Sequence, residues 1–225
     1  MIIYGKQIFL YMLNKYPHMI EEIYLAKEID KKLFSRLVKL NVEIKKPDNK
    51  KAQALARGGN HQGFLLKVKD YEFTSFSEIK DGDFVLVLAG VTDVGNIGAI
   101  IRSAYALGVS GIVISMVNQI SAEGIMRSSS GAMLDMPVSL SKDIVTVINE
   151  LKQSSFSVYG AHMSGEDVRD LKFEGKKALI LGSEGMGLTN RVLNMCDKKI
   201  KIKMQREFDS LNVSVASALL CDRMR

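Results

Sequence analysis

A chain of 225 residues holds one large domain, or a small domain with a medium one. Its 47% hydrophobic and 25% charged residues match a soluble globular protein, and no apolar run approaches the roughly 18 residues that would span a bilayer. The net charge of +6 favours an anionic partner such as nucleic acid, without requiring one. Cys196 and Cys221 form no CxxC and read as reduced thiols of a cytosolic protein.

The opening "MIIYGKQIFLYML" lacks a basic n-region and a small-residue cleavage site, so it reads as a strand or turn entering a helix rather than a signal peptide. "GKQIFLYMLNKY" has helical spacing and "EEIYLAKE" contains a short strand. "DKKLFSRLVKL" is a second helix with Asp30 as its N-cap, and "NVEIKK" a second strand. "PDNKKAQALARGG" starts at a proline and stops at a glycine pair, as helices do. "GFLLKVKDYEF" is a third strand. The spacing therefore predicts a small α/β domain over residues 1–72. The polar, turn-rich "TSFSEIKDGD" predicts a linker over 73–82, and a second domain fills 83–225.

In that second domain "FVLVLAG", "GIVISM", "FSVYGAHM" and "KALILGS" are apolar runs of the kind buried on both faces of a parallel sheet. Between them lie the helix "NIGAIIRSAYALGV", ending at Gly108, the loop and helix "SAEGIMRSSSGAML", and the helix "SKDIVTVINELKQS", for which Ser141 is the cap. The short helix "GLTNRVLNMC", the strand "KKIKIKM" and a last helix in "FDSLNVSVASALLCDRMR" close the chain. Alternating strands and helices predict a doubly wound parallel sheet. Ligands of such sheets sit beyond the C-terminal strand ends, where "AGVTDVGNIG", "GSEGMG" and "MQREFDSLN" fall.

"LILGSEGMGL" puts Gly182, Gly185 and Gly187 in a strand–helix turn where backbone can approach a ligand. The spacing matches neither a dinucleotide fingerprint nor a phosphate-binding P-loop. Glu184 would repel a phosphate there, so the nearest part of a ligand is neutral or cationic; alternatively Glu184 caps a helix. Asn96 at a helix start is a ligand-side amide or an N-cap, and Arg102 needs an acid or a phosphate. Asp209 or Ser210 can cap the last helix. That leaves Asn212 in the first turn, where a better helix former is expected. His18, His61 and His162 are scattered, so no metal site is expected.

The stretches "NIGAIIRSAYALGV", "LILGSEGMGL" and "IKMQREFDSLNVSVASALL" resemble, in order, the three signature motifs of the SpoU (TrmH-type) RNA 2'-O-ribose methyltransferases. "YGKQIFLYML", "EEIYLAKE" and "GGNHQGFLLKV" are similar to the small substrate-binding domain of the members that act on ribosomal RNA. The third motif departs from the family pattern: Lys203 stands where that pattern has proline and Arg206 where it has glycine.

The resemblance implies a doubly wound sheet with a C-terminal trefoil knot, S-adenosylmethionine as cofactor, a homodimer whose active site is completed across the interface, and a cytoplasmic location. It implies that Gly182, Ser183, Gly185, Ile202, Met204, Leu211 and Asn212 hold the cofactor. Arg102 matches the catalytic arginine, and Asn96, Glu184, Ser210 and Asn212 the polar residues around it. RNA contacts are expected at Lys50, Lys51, Arg57, His61 and Arg102, from the basic stretches "KKPDNKKAQALARGGNHQ" and "KKIKIKMQR". The expected substrate is a guanosine ribose of large-subunit (23S) ribosomal RNA. The alternatives are tRNA, and a non-catalytic RNA-binding protein on the same fold.

Overall fold

The computed structural model describes residues 1–207 and 210–225, and its chain divides into two compact units. Unit 1 is Met1–Glu72 with Ala122–Gly131; unit 2 is Phe73–Ser121 with Ala132–Arg225.

In unit 1 the elements are β1 (Ile2–Tyr4), α1 (Lys6–Lys15), β2 (Ile20–Leu25), α2 (Lys31–Val38), β3 (Glu43–Lys45), α3 (Asn49–Leu55) and β4 (Phe64–Val68). The strands form one sheet in the order β1-β4-β2-β3, with β4 antiparallel to both neighbours and β2 parallel to β3. Asp30 caps α2 by accepting from the Leu33 N–H, and Asp48 caps α3 by accepting from the Lys51 N–H. Ile3, Phe9, Met12, Ile23, Leu65 and Leu66 are the buried side chains that hold helices to sheet.

Across one face of this sheet Glu22 accepts from Lys45, from Lys67 Nζ at 2.8 Å and from the Tyr24 hydroxyl at 2.7 Å. These partners, Lys45 foremost, hold its carboxyl down at about 2. Ala122–Gly131 contributes a further helix to unit 1, where Arg127 lies 4.1 Å from the centroid of the Tyr4 ring. By contact the segment groups with unit 1, although along the chain it lies inside the stretch expected to form the second domain. Nothing local marks it, because its membership is set by packing on strands more than a hundred residues away.

Unit 2 runs α4 (Phe76–Ile79), β5 (Phe84–Ala89), α5 (Val94–Ala106) and β6 (Gly111–Ser115). After α6 (Ala122–Ser128, in unit 1) it continues with β7 (Val138–Ser141), α7 (Ile144–Gln153), β8 (Ser157–Asp167) and β9 (Lys177–Gly182). It ends with α8 (Asn190–Met195), β10 (Lys198–Lys201) and α9 (Val213–Met224). The six strands form an all-parallel sheet in the order β10-β8-β9-β5-β6-β7. Val85, Val87, Val113, Val158 and Ile180 pack one face against α7 and α8. The alternate residues Leu86, Leu88, Ile112, Ile114 and Leu179 are buried on the other face, where α5 packs on α9. Both cysteines are free, and burial pushes the Cys221 thiol up to about 12.

The expected linker, residues 73–82, groups with unit 2 by contact and carries α4, capped by Ser75 with Ile79 buried. One local expectation is corrected. Ser141 ends a strand, β7, that "PVSLS" does not disclose, and α7 is capped by Asp143, which accepts from the Val145 and Thr146 N–H groups. An aspartate two residues nearer the helix wins over the serine.

Candidate functional site

The strand order reverses beside β5, so β5 has the next strand, β6, on one side and the late strand β9 on the other. Ala89 and Gly182, the last residues of β5 and β9, are direct partners, so the loops leaving them emerge together at the ligand-binding edge.

After β9 the chain turns back on itself. Ser183 and Gly187 form an isolated antiparallel bridge in which the Gly187 N–H donates to the Ser183 carbonyl at 2.9 Å. Two of the three glycines are demanded by this geometry, each for its own reason. A Cβ on Gly182 would lie 2.2 Å from the Gly187 carbonyl carbon, and Gly187 has φ of +62°. Gly185 has open space around the position of a Cβ and no positive φ, so its presence is not a backbone requirement.

This turn carries Glu184 to the start of two helices. Asn96 is the third residue of α5 and does not cap it; Asp93 does, accepting from the Asn96 N–H at 2.7 Å. That frees the Asn96 side chain. Its Nδ2 donates to Glu184 Oε1 at 3.2 Å. The Asn212 Nδ2 donates to the same oxygen at 2.6 Å and to Asn96 Oδ1 at 3.0 Å.

Asn212 is itself the N-cap of α9, with Oδ1 accepting from the Ser214 N–H at 2.9 Å, so the expectation of Ser210 as cap is corrected. The other candidate, Asp209, lies outside the described residues. Glu184 also receives the N–H of Val213 at 3.4 Å, so its capping role is real but belongs to α9, not to the helix that follows its own strand. Thus three of the five expected catalytic residues, 116 positions apart at the extremes, share one hydrogen-bonded cluster.

A cavity of about 200 Å³ opens beside this cluster. It is lined by the expected Gly182, Ser183, Ile202, Met204 and Leu211, and also by Glu184 and Ser210. Its remaining wall is largely apolar, from Leu181, Ile200, Val213, Ala216 and Leu220, with Gly187 and the cation Lys201 beside them. Gly185 and Asn212 do not line it. Sequence reasoning missed Ala161, His162 and Met163, which line it from β8. The signal is present, since "FSVYGAHM" reads as a strand and strand ends at this edge face the ligand.

Arg102 lies six residues beyond Asn96 on α5. It is exposed and has no hydrogen bond or ion pair among the described residues, so the acid partner that would make it a structural salt bridge is not found there. Lys203 and Arg206 are also exposed. Arg206 has no positive φ, so glycine's freedom is not needed at that point.

Of the expected RNA contacts, Lys50 and Lys51 are exposed on α3. Arg57 is exposed, with φ of +49° and Glu123 at 3.9 Å. His61 is corrected: it is only 8% exposed, and its Nδ1 accepts from the Gly63 N–H at 3.0 Å. It shapes the turn into β4 instead of presenting its ring.

Comparisons with known proteins agree with this geometry. Residues 83–222 match the SpoU rRNA Methylase family, and residues 2–74 match the RNA 2'-O ribose methyltransferase substrate binding family. A putative TrmH family tRNA/rRNA methyltransferase of Staphylococcus aureus is 31% identical over 216 residues, covering 90% of this chain and 87% of its own. One of Staphylococcus haemolyticus is 34% identical over 169 residues, covering 71% and 68%. Among solved structures, the SpoU methyltransferase AviRb of Streptomyces viridochromogenes in complex with AdoMet superposes with a TM-score of 0.81 at 21% identity, covering 99% of this chain and 88% of that one. The chain belongs to the SpoU rRNA methylase family. It is an RNA methyltransferase of the SpoU/TrmH class, whose methyl donor is S-adenosylmethionine.

Proposed function

We propose that this enzyme methylates the 2'-hydroxyl of a guanosine ribose in large-subunit ribosomal RNA. The observation that carries the class of reaction is the joining of Asn96, Glu184 and Asn212 beside the cavity. The choice of ribosomal RNA rests on unit 1. A solved neighbour that covers 100% of the chain is a rRNA methyltransferase from Sinorhizobium meliloti. The neighbour whose structure concerns 2'-OH methylation of C/U34 on tRNA covers 63%.

The cavity residues suit S-adenosylmethionine. The apolar wall takes the adenosine, the tight Ser183–Gly187 turn offers peptide groups, and Glu184, the one lining carboxylate among the described residues, faces a cationic sulfonium while Lys201, also lining the cavity, can meet the cofactor's carboxylate. When bound, the cofactor supplies an electrophilic methyl group. The chain's own task is to hold the ribose oxygen in line and accommodate its proton.

A guanidinium with a pKa above about 12 is a poor base. Arg102 therefore anchors the target phosphate and stabilises the negative charge developing at the 2'-oxygen, while the hydroxyl proton passes to solvent water at the open edge of the site. Ser210 and Asn96 orient the ribose, and Glu184 fixes the amides of Asn96 and Asn212 in one orientation.

Two copies pair so that Arg102 of one completes the site of the other. This is supported by the Arg102 guanidinium, which has no partner among the described residues, and by Tyr105, Val215 and Leu219, large apolar side chains exposed on α5 and α9. The C-terminal segment is knotted, a reading supported by the return of α9 to meet both the β9 turn and the start of α5. The protein works in the cytoplasm.

The test is to map hydrolysis-resistant riboses in RNA from cells with and without the gene. One guanosine of the large ribosomal RNA becoming labile supports the reading. Loss of resistance in a tRNA refutes the substrate assignment, and no change refutes the activity.

A further inference from the structure

The excess positive charge is not spread evenly. Unit 1 has 15 lysines and arginines against 9 acids, while unit 2 has 16 against 16, so the whole net charge of +6 lies in unit 1. Part of this charge is neutralised internally: Lys45 and Lys67 are both paired to Glu22. Lys27, Lys31 and Lys46 are different. They are exposed, and none has an ion pair among the described residues.

These three surround one cavity of about 670 Å³, lined also by Glu28 and Phe34. Phe34 is 40% exposed on α2, a helix that buries only Leu37, and Lys46 Nζ lies 6.0 Å from its ring centroid. The Phe34 ring thus offers a solvent-facing aromatic surface at the cavity wall. Of the basic stretch expected from sequence to touch RNA, only Lys46 lines this cavity; Lys50, Lys51, Arg57 and His61 do not.

We propose that this cavity is a nucleotide site, in which one unpaired base of the substrate RNA stacks on Phe34. Lys27, Lys31 and Lys46 take the flanking phosphates, and Glu28 accepts from a base amino group. An aromatic face beside cations that have no carboxylate partner is the combination that single-stranded RNA recognition uses. A peptide partner with an apolar anchor would leave the three ammonium groups without a role. The site lies in the unit read above as substrate-binding, and the proposal rests on that reading.

The test measures binding of a short fluorescent single-stranded RNA of mixed sequence across a salt series, alongside methyl transfer. Phe34→Ala should weaken RNA binding roughly tenfold, the effect of losing one base–aromatic stack, and leave S-adenosylmethionine affinity unchanged. Phe34→Tyr should restore it. Val38→Ala, exposed on the same helix but outside the cavity, should bind as wild type. Lys31→Glu with Lys46→Glu should flatten the salt dependence by about 0.7 in logarithmic slope for each phosphate no longer neutralised.

Wild-type binding by Phe34→Ala overturns the proposal even if methyl transfer stands, and so does a wild type that fails to bind the probe. A defect seen on ribosomal particles and not on naked RNA overturns it in favour of a protein contact. Wild-type RNA binding that depends on Phe34 without methyl transfer supports the nucleotide site and refutes the proposed function.

Discussion

Gly182→Ala puts the turn after β9 to a sharp test. The new methyl carbon would sit 2.2 Å from the carbonyl carbon of Gly187, 2.3 Å from its oxygen and 2.6 Å from the Leu188 nitrogen. Ordinary contact for such a carbon begins near 3.4 Å, so the two backbone strands of the turn must separate by more than 1 Å. The obstacle is main chain, with no rotamer to give way. Separation on that scale stretches the 2.9 Å Gly187–Ser183 hydrogen bond beyond a useful length.

Overpacking typically costs about 1–3 kcal/mol, and the hydrogen bond adds about 1. The expected loss of stability is about 2–4 kcal/mol, a large part of a typical 5–15. Gly182, Ser183 and Gly187 all line the cavity, so cofactor affinity should fall by at least about tenfold. Urea unfolding and calorimetric titration with S-adenosylmethionine read the two effects. Gly185→Ala is the control, since nothing lies within 4 Å of its added carbon. Wild-type stability and affinity in Gly182→Ala, or equal damage from Gly185→Ala, would refute the reasoning.

Arg102→Ala removes an exposed guanidinium that has no partner among the described residues, so stability should stay within about 0.5 kcal/mol while turnover falls on the order of 10²-fold or more. Cofactor titration and single-turnover kinetics separate the two. Glu184→Ala leaves the amides of Asn96 and Asn212 and the Val213 N–H without their shared acceptor. Water replaces it at this exposed position, so thermal unfolding should register at most about 1 kcal/mol, yet turnover should drop by on the order of 10². Glu22, held at about 2 against an ordinary 4.5, contributes stability that is complete above pH 4.5 and lost as pH falls through 2. Glu22→Gln should therefore flatten acid unfolding in that window; Asp167, likewise held near 2 by Arg169, keeps part of the slope.

Much of the sheet is legible in the sequence because burial on both faces leaves a simple mark. "FVLVLAG" and "KALILGS" contain hardly a polar residue, and both are central strands. The edge strand β7 is not legible: Val138–Ser141 is four residues, two of them serine. Capping is legible only by type. Asn96, which could cap or serve a ligand, yields the cap to Asp93 three residues before it, whereas Asn212, expected in the first turn, is itself the cap of α9.

The cluster is legible as a set of residues, but its bonding is not. Glu184 meets its partners from 88 and 28 positions away. His61 shows the reverse failure: a histidine between glycines suggests exposure, and here the turn it builds encloses it.

Methyl transfer to ribosomal RNA, the central claim, is most directly tested with the purified protein. Labelled S-adenosylmethionine and total RNA from cells lacking the gene are incubated with wild type and with Arg102→Ala, and the RNA is then separated by size. Label is expected in the large ribosomal RNA with wild type and none with the variant. Label in tRNA alone, or none from a folded wild type, would contradict the claim.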